Sequence, residues 1–335
     1  MDNKVAISVV IPVYNGQDYV MDCLNSLLSQ TFGNFEILVV NDGSTDATLS
    51  VIEQAQQRTD KIFCFTIENH GQGYARNYAL PHCKGEYICF VDADDTLEPK
   101  TLEQAYRRAR ADNADLVVFG WDYVNPCAGK VWQKTAPPYF SKDMLTGDAC
   151  LELLQTSPFF TVNSLYAARF LREYTIRYGE GYIYEDNPFW VNVCVHAQRV
   201  SLIASTLYHV RVNDASSTKT HYDTDWHSRS FITAVRASFA ILGREEKPAY
   251  AYLYRYFFER FCLYYGSRTP ARYRQVFLRE FINVMAQRNL SPVPDSRFYN
   301  TCLKRSVFQK KRYGFFHWML FLRLQSQAIL KTLKS

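Results

Sequence analysis

Acidic side chains that could do chemistry crowd into three short stretches of the chain. The stretch "GEYICFVDADDTLEP" delivers Asp92, Asp94 and Asp95 within four residues, directly after the apolar run Tyr87–Val91. Carboxylates held that close repel, and their protonation is coupled. A strand tip that gathers three of them either neutralises them with a cation or uses some as helix caps. Capping explains one aspartate well and three poorly, so a bound cation is the stronger expectation. A second pair, Glu185 and Asp186 in "YEDNPF", lies just before Pro188, a residue favoured in a helix's first turn. Asp186 is suited there to cap the helix or to accept a proton, and the residue types alone leave both open. The third stretch, "NDGSTD", sets Asp42 before Gly43, where an aspartate commonly forms a turn. Tyr14 and Asn15 in "PVYNG" and Arg76 in "YARN" add an aromatic face and a planar cation.

The elements around these residues decide whether they can meet. Ala6–Val13 is an apolar, β-branched run, followed by a helical stretch with Val20, Cys23, Leu24, Leu27 and Leu28 on one face. Phe35–Val40 reads as a second buried strand, and "NDGSTD" supplies caps for a helix near Ala47–Gln56. Ile62–Thr66, Tyr87–Val91 and Leu116–Phe119 are further short apolar runs, with helical patterns at Gly73–Leu80 and Pro99–Ala111 between them. That alternation predicts βα units and a largely parallel sheet. Tyr14–Asn15, Asn41–Ser44 and Asp92–Asp95 each follow a strand, and ligands bind at the carboxyl edge of open parallel sheets. The three clusters should therefore share one site. Tyr123–Pro138 reads as an irregular connection, while Asp143–Leu154, Val162–Tyr174 and Phe189–Ala197 read as helices. After about His221 the pattern is helical and aromatic. The expected organisation is 1–120, 121–221 and 222–335.

Composition narrows the class. With 335 residues, 47% hydrophobic and 16% aromatic, the chain can bury a sizeable core. Nine cysteines without a CxxC pair point to reduced thiols and a cytoplasmic protein. The opening "MDNKVAISVVIPVYNG" is broken too early by Pro12 and Asn15 for a signal peptide. No segment approaches the ~18 apolar residues of a membrane span. The net charge of +5 hides an asymmetry: Trp226–Ser335 holds 20 Lys/Arg against 5 Asp/Glu, and the remainder holds 18 against 28. An acidic front suits cations or sugars, and a basic rear suits an anionic surface.

Taken in order, "SVVIPVYNGQDYVMDCLNSLLSQTFGNFEILVVNDGSTDAT", "GQGYARNYAL" and "GEYICFVDADDTLEP" resemble glycosyltransferase family 2. The likeness runs over Ile7–Pro99 and continues more weakly to "YEDNPF". It implies an α/β, GT-A (Rossmann-like) fold, with a mostly parallel sheet flanked by helices, and says little about the last hundred residues, whose own pattern adds a helical C-terminal extension. It also implies an inverting, metal-dependent transfer of a hexose or N-acetylhexosamine from a UDP-sugar to a hydroxyl of a growing cell-surface glycan. By the same resemblance Tyr14 stacks on the uracil, Asp42 accepts its imide N–H, and Pro12, Val13, Asn15 and Ala93 line the nucleotide-sugar site. Arg76 is expected at the diphosphate, a group that guanidinium recognises well. Asp92-Ala93-Asp94 matches a DxD motif, in which Asp94 coordinates Mg2+ or Mn2+ bridging the phosphates, a role suited to hard oxygen ligands. Asp92 touches the ribose or supports the metal shell, and Asp95 faces the donor sugar or caps the helix begun by Pro99. The second acid of the later pair is the usual base, so Asp186 deprotonates the acceptor with Glu185 in support. One base and no separate carboxyl nucleophile implies a single displacement with inversion.

Simpler roles compete with these: Tyr14 as a wedge over the sheet edge, Arg76 as a solvated helix charge, His209 as a structural residue. The loop "RVNDASSTKT" (Arg211–Thr220) is phosphate-compatible or a plain polar surface. In Lys304–Leu324, basic residues precede Phe315, Phe316 and Trp318, a pattern for reversible docking on the inner leaflet, near a lipid-linked acceptor. A buried C-terminal helix is the alternative. No nucleic-acid-binding motif accompanies the charge. A sugar-1-phosphate nucleotidyltransferase would want a Gly-rich phosphate loop that "PVYNGQDY" does not provide. A receiver-like module fails on length and on the second acidic pair. A catalytically silent nucleotide-sugar-binding subunit of a polysaccharide synthase complex is the competing reading. Donor sugar, acceptor, linkage and oligomeric state are not encoded in these motifs.

Overall fold

The computed structural model describes residues 4–125, 130–135, 143–156, 160–212 and 225–242, together with Leu253, Tyr256 and Phe257. The chain divides into two compact units, Met1–Ser216 and Ser217–Ser335. The first opens with β1 (Ile7–Val13), α1 (Val20–Leu28), β2 (Phe35–Asp42), α2 (Thr48–Gln56), β3 (Ile62–Ile67), α3 (Gln72–Ala79) and β4 (Tyr87–Phe90). β5 (Thr96–Leu97), α4 (Thr101–Asp112), β6 (Leu116–Asn125), β7 (Lys130–Thr135), β8 (Met144–Thr146) and α5 (Leu153–Thr156) follow. The unit closes with β9 (Ser164–Ala167), α6 (Ala168–Glu173), α7 (Asp186–His196) and β10 (Arg199–Arg211).

Among the described residues these strands form one sheet in the order β3-β2-β1-β4-β9-β6-β10-β5, with β7 on β6 and β8 on β10. The β3-β2-β1-β4 half is parallel throughout. β1, β2 and β4 are buried along their whole length, which is why they read as unbroken apolar runs. α1 buries Val20, Cys23, Leu24 and Leu27, the face its periodicity marks. Beyond β4 the sheet turns mixed: β9 pairs antiparallel with both β4 and β6, and β10 runs parallel to β6.

Several expectations are corrected here. Val162–Tyr174 is not one helix: Ser164–Ala167 forms a fully buried strand and only Ala168–Glu173 is helical. An apolar run this short carries no decisive period, and pairing with two neighbouring strands decides it. Asp143–Leu154 likewise opens as β8, passes through a 3-10 turn at Gly147–Glu152 and becomes α-helical only at Leu153. The expected irregular stretch after Tyr123 instead extends β6 to Asn125 and adds β7 beside it. β6 thus crosses position 120, and the strands on both sides of it share the sheet.

The second unit contains α8 (Asp225–Ile241), which buries Phe231, Ile232, Ala234, Val235 and Phe239. Phe257 packs against Phe231 and Phe239, with ring centres 6.0 and 5.8 Å apart. Among the described residues no helix is long and apolar enough to cross a membrane. Lys304–Leu324, and positions 213–220 of the polar loop, lie outside the described residues.

An aromatic cluster joins the two halves of the first unit. Phe90 of β4 is fully buried and meets Tyr166 of β9, Tyr178 and Phe189 of α7 edge-on, at centroid distances of 5.8, 5.1 and 5.7 Å. Phe189 and Tyr178 stack at 4.1 Å. Truncating Phe90 removes the shared centre of these contacts. Phe90→Ala is therefore expected to cost about 3–5 kcal/mol in urea unfolding; a loss below about 1 kcal/mol would show that the cluster repacks.

Candidate active site

The three polar clusters do meet at the carboxyl edge of β1, β2 and β4. β1 and β2 stop side by side, Val13 opposite Asn41, and the loops after them are stitched together. Asn15, in the left-handed region at φ 50°, donates its backbone N–H to Ser44 Oγ (2.9 Å) and accepts the Thr45 N–H on Oδ1 (2.8 Å). Gly16 donates to Thr48 Oγ1 at 2.8 Å. Tyr14 stands 53% exposed on this rim, with its ring open to a ligand. Pro12 and Val13 are buried at the end of β1, with their side chains in the core. Asp42 is also buried: Oδ1 accepts the His70 N–H and Oδ2 the Gly71 N–H, both at 2.8 Å. It thus fixes the entry to α3, and each oxygen retains one further acceptor position.

The acidic loop leaves β4 and is held from below by β10. The Asp92 N–H donates to Tyr208 Oη (3.1 Å), and the same hydroxyl donates to Asp95 Oδ2 (2.7 Å). Asp95 Oδ1 accepts the Arg211 N–H at 2.8 Å. Asp95 is therefore no sugar ligand: its carboxyl is buried and faces inward. It does not cap α4 either, whose N-cap is Lys100. Burial, then the charges of Asp92 and Asp94, push its pKa well above the usual carboxylate range. Arg211 braces the loop from outside, donating through Nε to the Asp94 carbonyl (3.0 Å) and through Nη2 to Asp22 (2.7 Å). Ala93 and Asp94 sit half-buried at the loop's tip.

Arg76 occupies the centre. The resemblance sent it to a diphosphate, but it is buried and paired within the protein. Nη2 meets Asp92 Oδ1 at 2.7 Å and Nη1 meets Glu185 Oε1 at 2.9 Å, with the guanidinium 4.8 Å above the Tyr178 ring. One cation thereby ties the acidic loop to the later acidic pair. Burial opposes its charge, yet Asp92, Tyr178 and Glu185 outweigh burial and hold the pKa above its usual value.

The same helix clasps the segment that carries the pair. Gly73, Arg76 and Asn77 share one face of α3 by their spacing. Asn77 donates through Nδ2 to the Tyr178 carbonyl (2.9 Å) and to Glu180 Oε1 (2.8 Å), and accepts the Tyr178 N–H (2.9 Å). Gly73 has no side chain where a Cβ would lie 2.0 Å from the Gly179 carbonyl and 2.9 Å from Glu185 Cγ. Sequence reasoning passed over Gly73, Asn77 and Tyr208. Gly73 carried a signal: glycine inside a helix costs about 1 kcal/mol against alanine, and close approach is a reason to keep it.

Asp186 is the first residue of α7, and Glu185 before it makes no side-chain capping bond. The helix-capping role is thus not what the pair performs. Burial, and next the Glu185 charge, raise the Asp186 pKa to about 8. Burial also raises Glu185, against the pull of Arg76. The two carboxyls titrate as a unit, and a carboxyl poised near neutrality suits proton transfer.

The loop also fits a divalent cation. Among the described residues no three His, Cys, Asp or Glu side chains converge to hold an ion by themselves. Mg2+ and Mn2+ do not require such a cage, since Mg2+ is commonly bound through one or two carboxylates plus substrate phosphates. The half-buried Asp94, beside Asp92, is such a donor set. His209 is engaged elsewhere: its ring nitrogens lie 2.6 Å from Asp122 Oδ1 and 2.9 Å from Glu98 Oε1.

Known proteins carry the same frame. Residues 8–175 match the model of glycosyl transferase family 2, and the chain belongs to that family. Its first unit has the GT-A fold. EpsH of Bacillus subtilis (strain 168) is 31% identical over 222 residues, which cover 63% of this chain and 62% of that protein. The chain therefore spans less than two thirds of that relative's length. A crystal structure of Staphylococcus aureus TarS 1-349, in complex with UDP-GlcNAc, aligns at a TM-score of 0.68 and 21% identity. That alignment covers 90% of this chain and 82% of that one. TarS is described as a poly(ribitol-phosphate) beta-N-acetylglucosaminyltransferase. The mannosyltransferase PcManGT of Pyrobaculum calidifontis, solved with GDP-Man and Mn2+, aligns at 0.55 and 15% identity over 98% of this chain and 86% of that one.

The close approach at Gly73 can be tested alone. Gly73→Ala forces the 179–185 segment away from α3 and moves Glu185 against Arg76. Turnover of a nucleotide-sugar donor should fall by about 10²-fold, the usual effect of a misplacement near 1 Å, with the circular dichroism unchanged. Full turnover in this variant would show that the contact is dispensable.

Proposed function

We propose that this glycosyltransferase inverts configuration while moving a hexose or N-acetylhexosamine from a UDP-sugar to a hydroxyl of a cell-surface glycan. The observation that carries the reading is the Arg76-centred cluster, which joins the Asp92–Asp94 loop to Glu185–Asp186 at the carboxyl edge. The UDP-GlcNAc bound by TarS and that protein's poly(ribitol-phosphate) acceptor support a UDP-sugar donor and a polymeric surface acceptor. The exposed Tyr14 ring supports a stacked base, and Asp42 retains acceptor capacity beside it.

In this reading Asp94, beside Asp92, would hold Mg2+ or Mn2+, an ion that would neutralise charge developing on the leaving diphosphate. The Mn2+ in the mannosyltransferase complex supports that choice. The acceptor oxygen forms a bond to the anomeric carbon as the bond from that carbon to the phosphate oxygen breaks. Its proton passes to the ionised carboxylate of Asp186, and UDP departs with the bonding electron pair. Glu185 and Arg76 act as positioning residues: they keep the base at the mouth of the cluster and set its basicity. Asp95, Tyr208 and Arg211 hold the loop's shape. Docking through Lys304–Leu324 on an anionic inner leaflet belongs to the same proposal, supported by the charge of that segment.

Metal-dependent UDP release from a panel of UDP-sugars tests the proposal. Asp94→Asn should abolish the stimulation by Mn2+ or Mg2+. Asp186→Asn should keep donor affinity by calorimetry while turnover falls by about 10²–10⁴-fold, the reach of a general base. Turnover that survives Asp186→Asn, or stimulation that survives Asp94→Asn, would remove the corresponding role.

A further inference from the structure

A second charged concavity lies at the opposite edge of the same sheet. A pocket of about 400 Å3 opens between the start of β4, the end of β9 and the turn after α4. β4 runs its whole length between this pocket and the acidic loop. Five cations line it: Lys4, Lys84, Arg110, Arg169 and Arg172. Two are matched by carboxylates, Arg110 by Glu86 and Arg169 by Asp115, the latter at 2.9 Å. Asp115 does not itself line the pocket, and its other oxygen accepts the N–H groups of Gln198 and Arg199.

Among the described residues the side chains of Lys4, Lys84 and Arg172 form no salt bridge, although the buried Glu36 accepts the Lys84 backbone N–H through Oε1 at 2.7 Å. Lys84 Nζ stands 5.2 Å from the centre of the Phe63 ring, and Arg172 Nη2 donates to the Cys83 carbonyl at 3.2 Å. A cation in the last turn of α4 complements that helix's dipole, which accounts for Arg110. Lys4, Lys84 and Arg169 come from other elements, and Arg169 lies in the first turn of α6, where the dipole disfavours it. Like charges that converge on a concavity focus a positive potential. Guanidinium forks and lysine ammonium groups are the recognised partners of phosphate oxygens. The volume lies within the range of small-molecule sites, and a concave site suits a soluble ligand better than a flat headgroup layer.

We infer that this pocket binds a small soluble phosphate ester or diphosphate, at a site distinct from the donor site. Calorimetric titration of inorganic pyrophosphate into the full-length protein, in metal-free, low-salt buffer, reads it directly. Saturable binding is expected, weakened at least tenfold in Lys84→Ala/Arg172→Ala at an unchanged melting temperature. Should the double variant lose its fold, Lys84→Glu alone, at an exposed position, must weaken binding in the same way. Absence of binding at about 10 mM pyrophosphate, far weaker than specific recognition, would overturn the inference. So would equal affinity in the variants, or attachment to phosphatidylglycerol vesicles by a protein that ignores pyrophosphate.

Discussion

A single buried guanidinium holds the site together. Arg76 cannot stay charged away from water without partners, because an unpaired buried charge is among the most costly defects in a protein. Its partners are Asp92, sixteen positions along the chain, and Glu185, one hundred and nine positions along. Glu185 is held in the interior by the same requirement, read from the other side, and the half-buried Asp92 turns in to meet the same guanidinium. Removing one member of such a buried group typically costs 3–5 kcal/mol, because it strands the others. The ion pairs therefore act as a constraint on geometry: the acidic loop and the acidic pair keep a fixed spacing as long as Arg76 is between them.

The surroundings serve that spacing. Gly73 and Asn77 let the segment before α7 lie directly on α3, and the stacked Tyr178 and Phe189 close it from the core side. Tyr208 and Arg211, at the end of the longest strand, hold the loop that carries Asp92 and Asp94. The half-buried Asp94 and Asp186 and the exposed Tyr14 are presented outward. The side chains that would meet substrate are few, and most of the polar residues nearby exist to aim them. The same packing that positions Asp186 also raises its pKa.

Much of this was legible in the sequence where the signal is local. β1, β2 and β4 announce themselves because strands buried on both faces are continuous apolar runs, and the polar clusters mark their carboxyl ends. β9 did not, because four residues between two helical-looking flanks have no period to read. Within the acidic loop, Asp92, Asp94 and Asp95 look alike as residue types. What separates Asp95 is Tyr208, one hundred and thirteen positions away, and no local pattern contains that contact. Arg76 is the same case: a guanidinium in a helix suggests a phosphate until the carboxylates that enclose it are in place. Resemblance to a family identified the cluster, and packing assigned the parts within it.

The pH dependence of donor hydrolysis tests the central claim most directly. A carboxyl with its pKa raised to about 8 is only about a tenth ionised at pH 7, so the base form appears as pH rises. kcat/KM for UDP-sugar should therefore climb from pH 6 and level above an apparent pKa near 8, where an ordinary carboxylate would already have levelled near pH 5. Glu185→Gln removes the neighbouring negative charge that helps to raise Asp186, so the same limb should move to lower pH. A rate flat from pH 6 to 9, or a limb that ignores Glu185→Gln, would contradict a buried Glu185–Asp186 pair as the base of this enzyme.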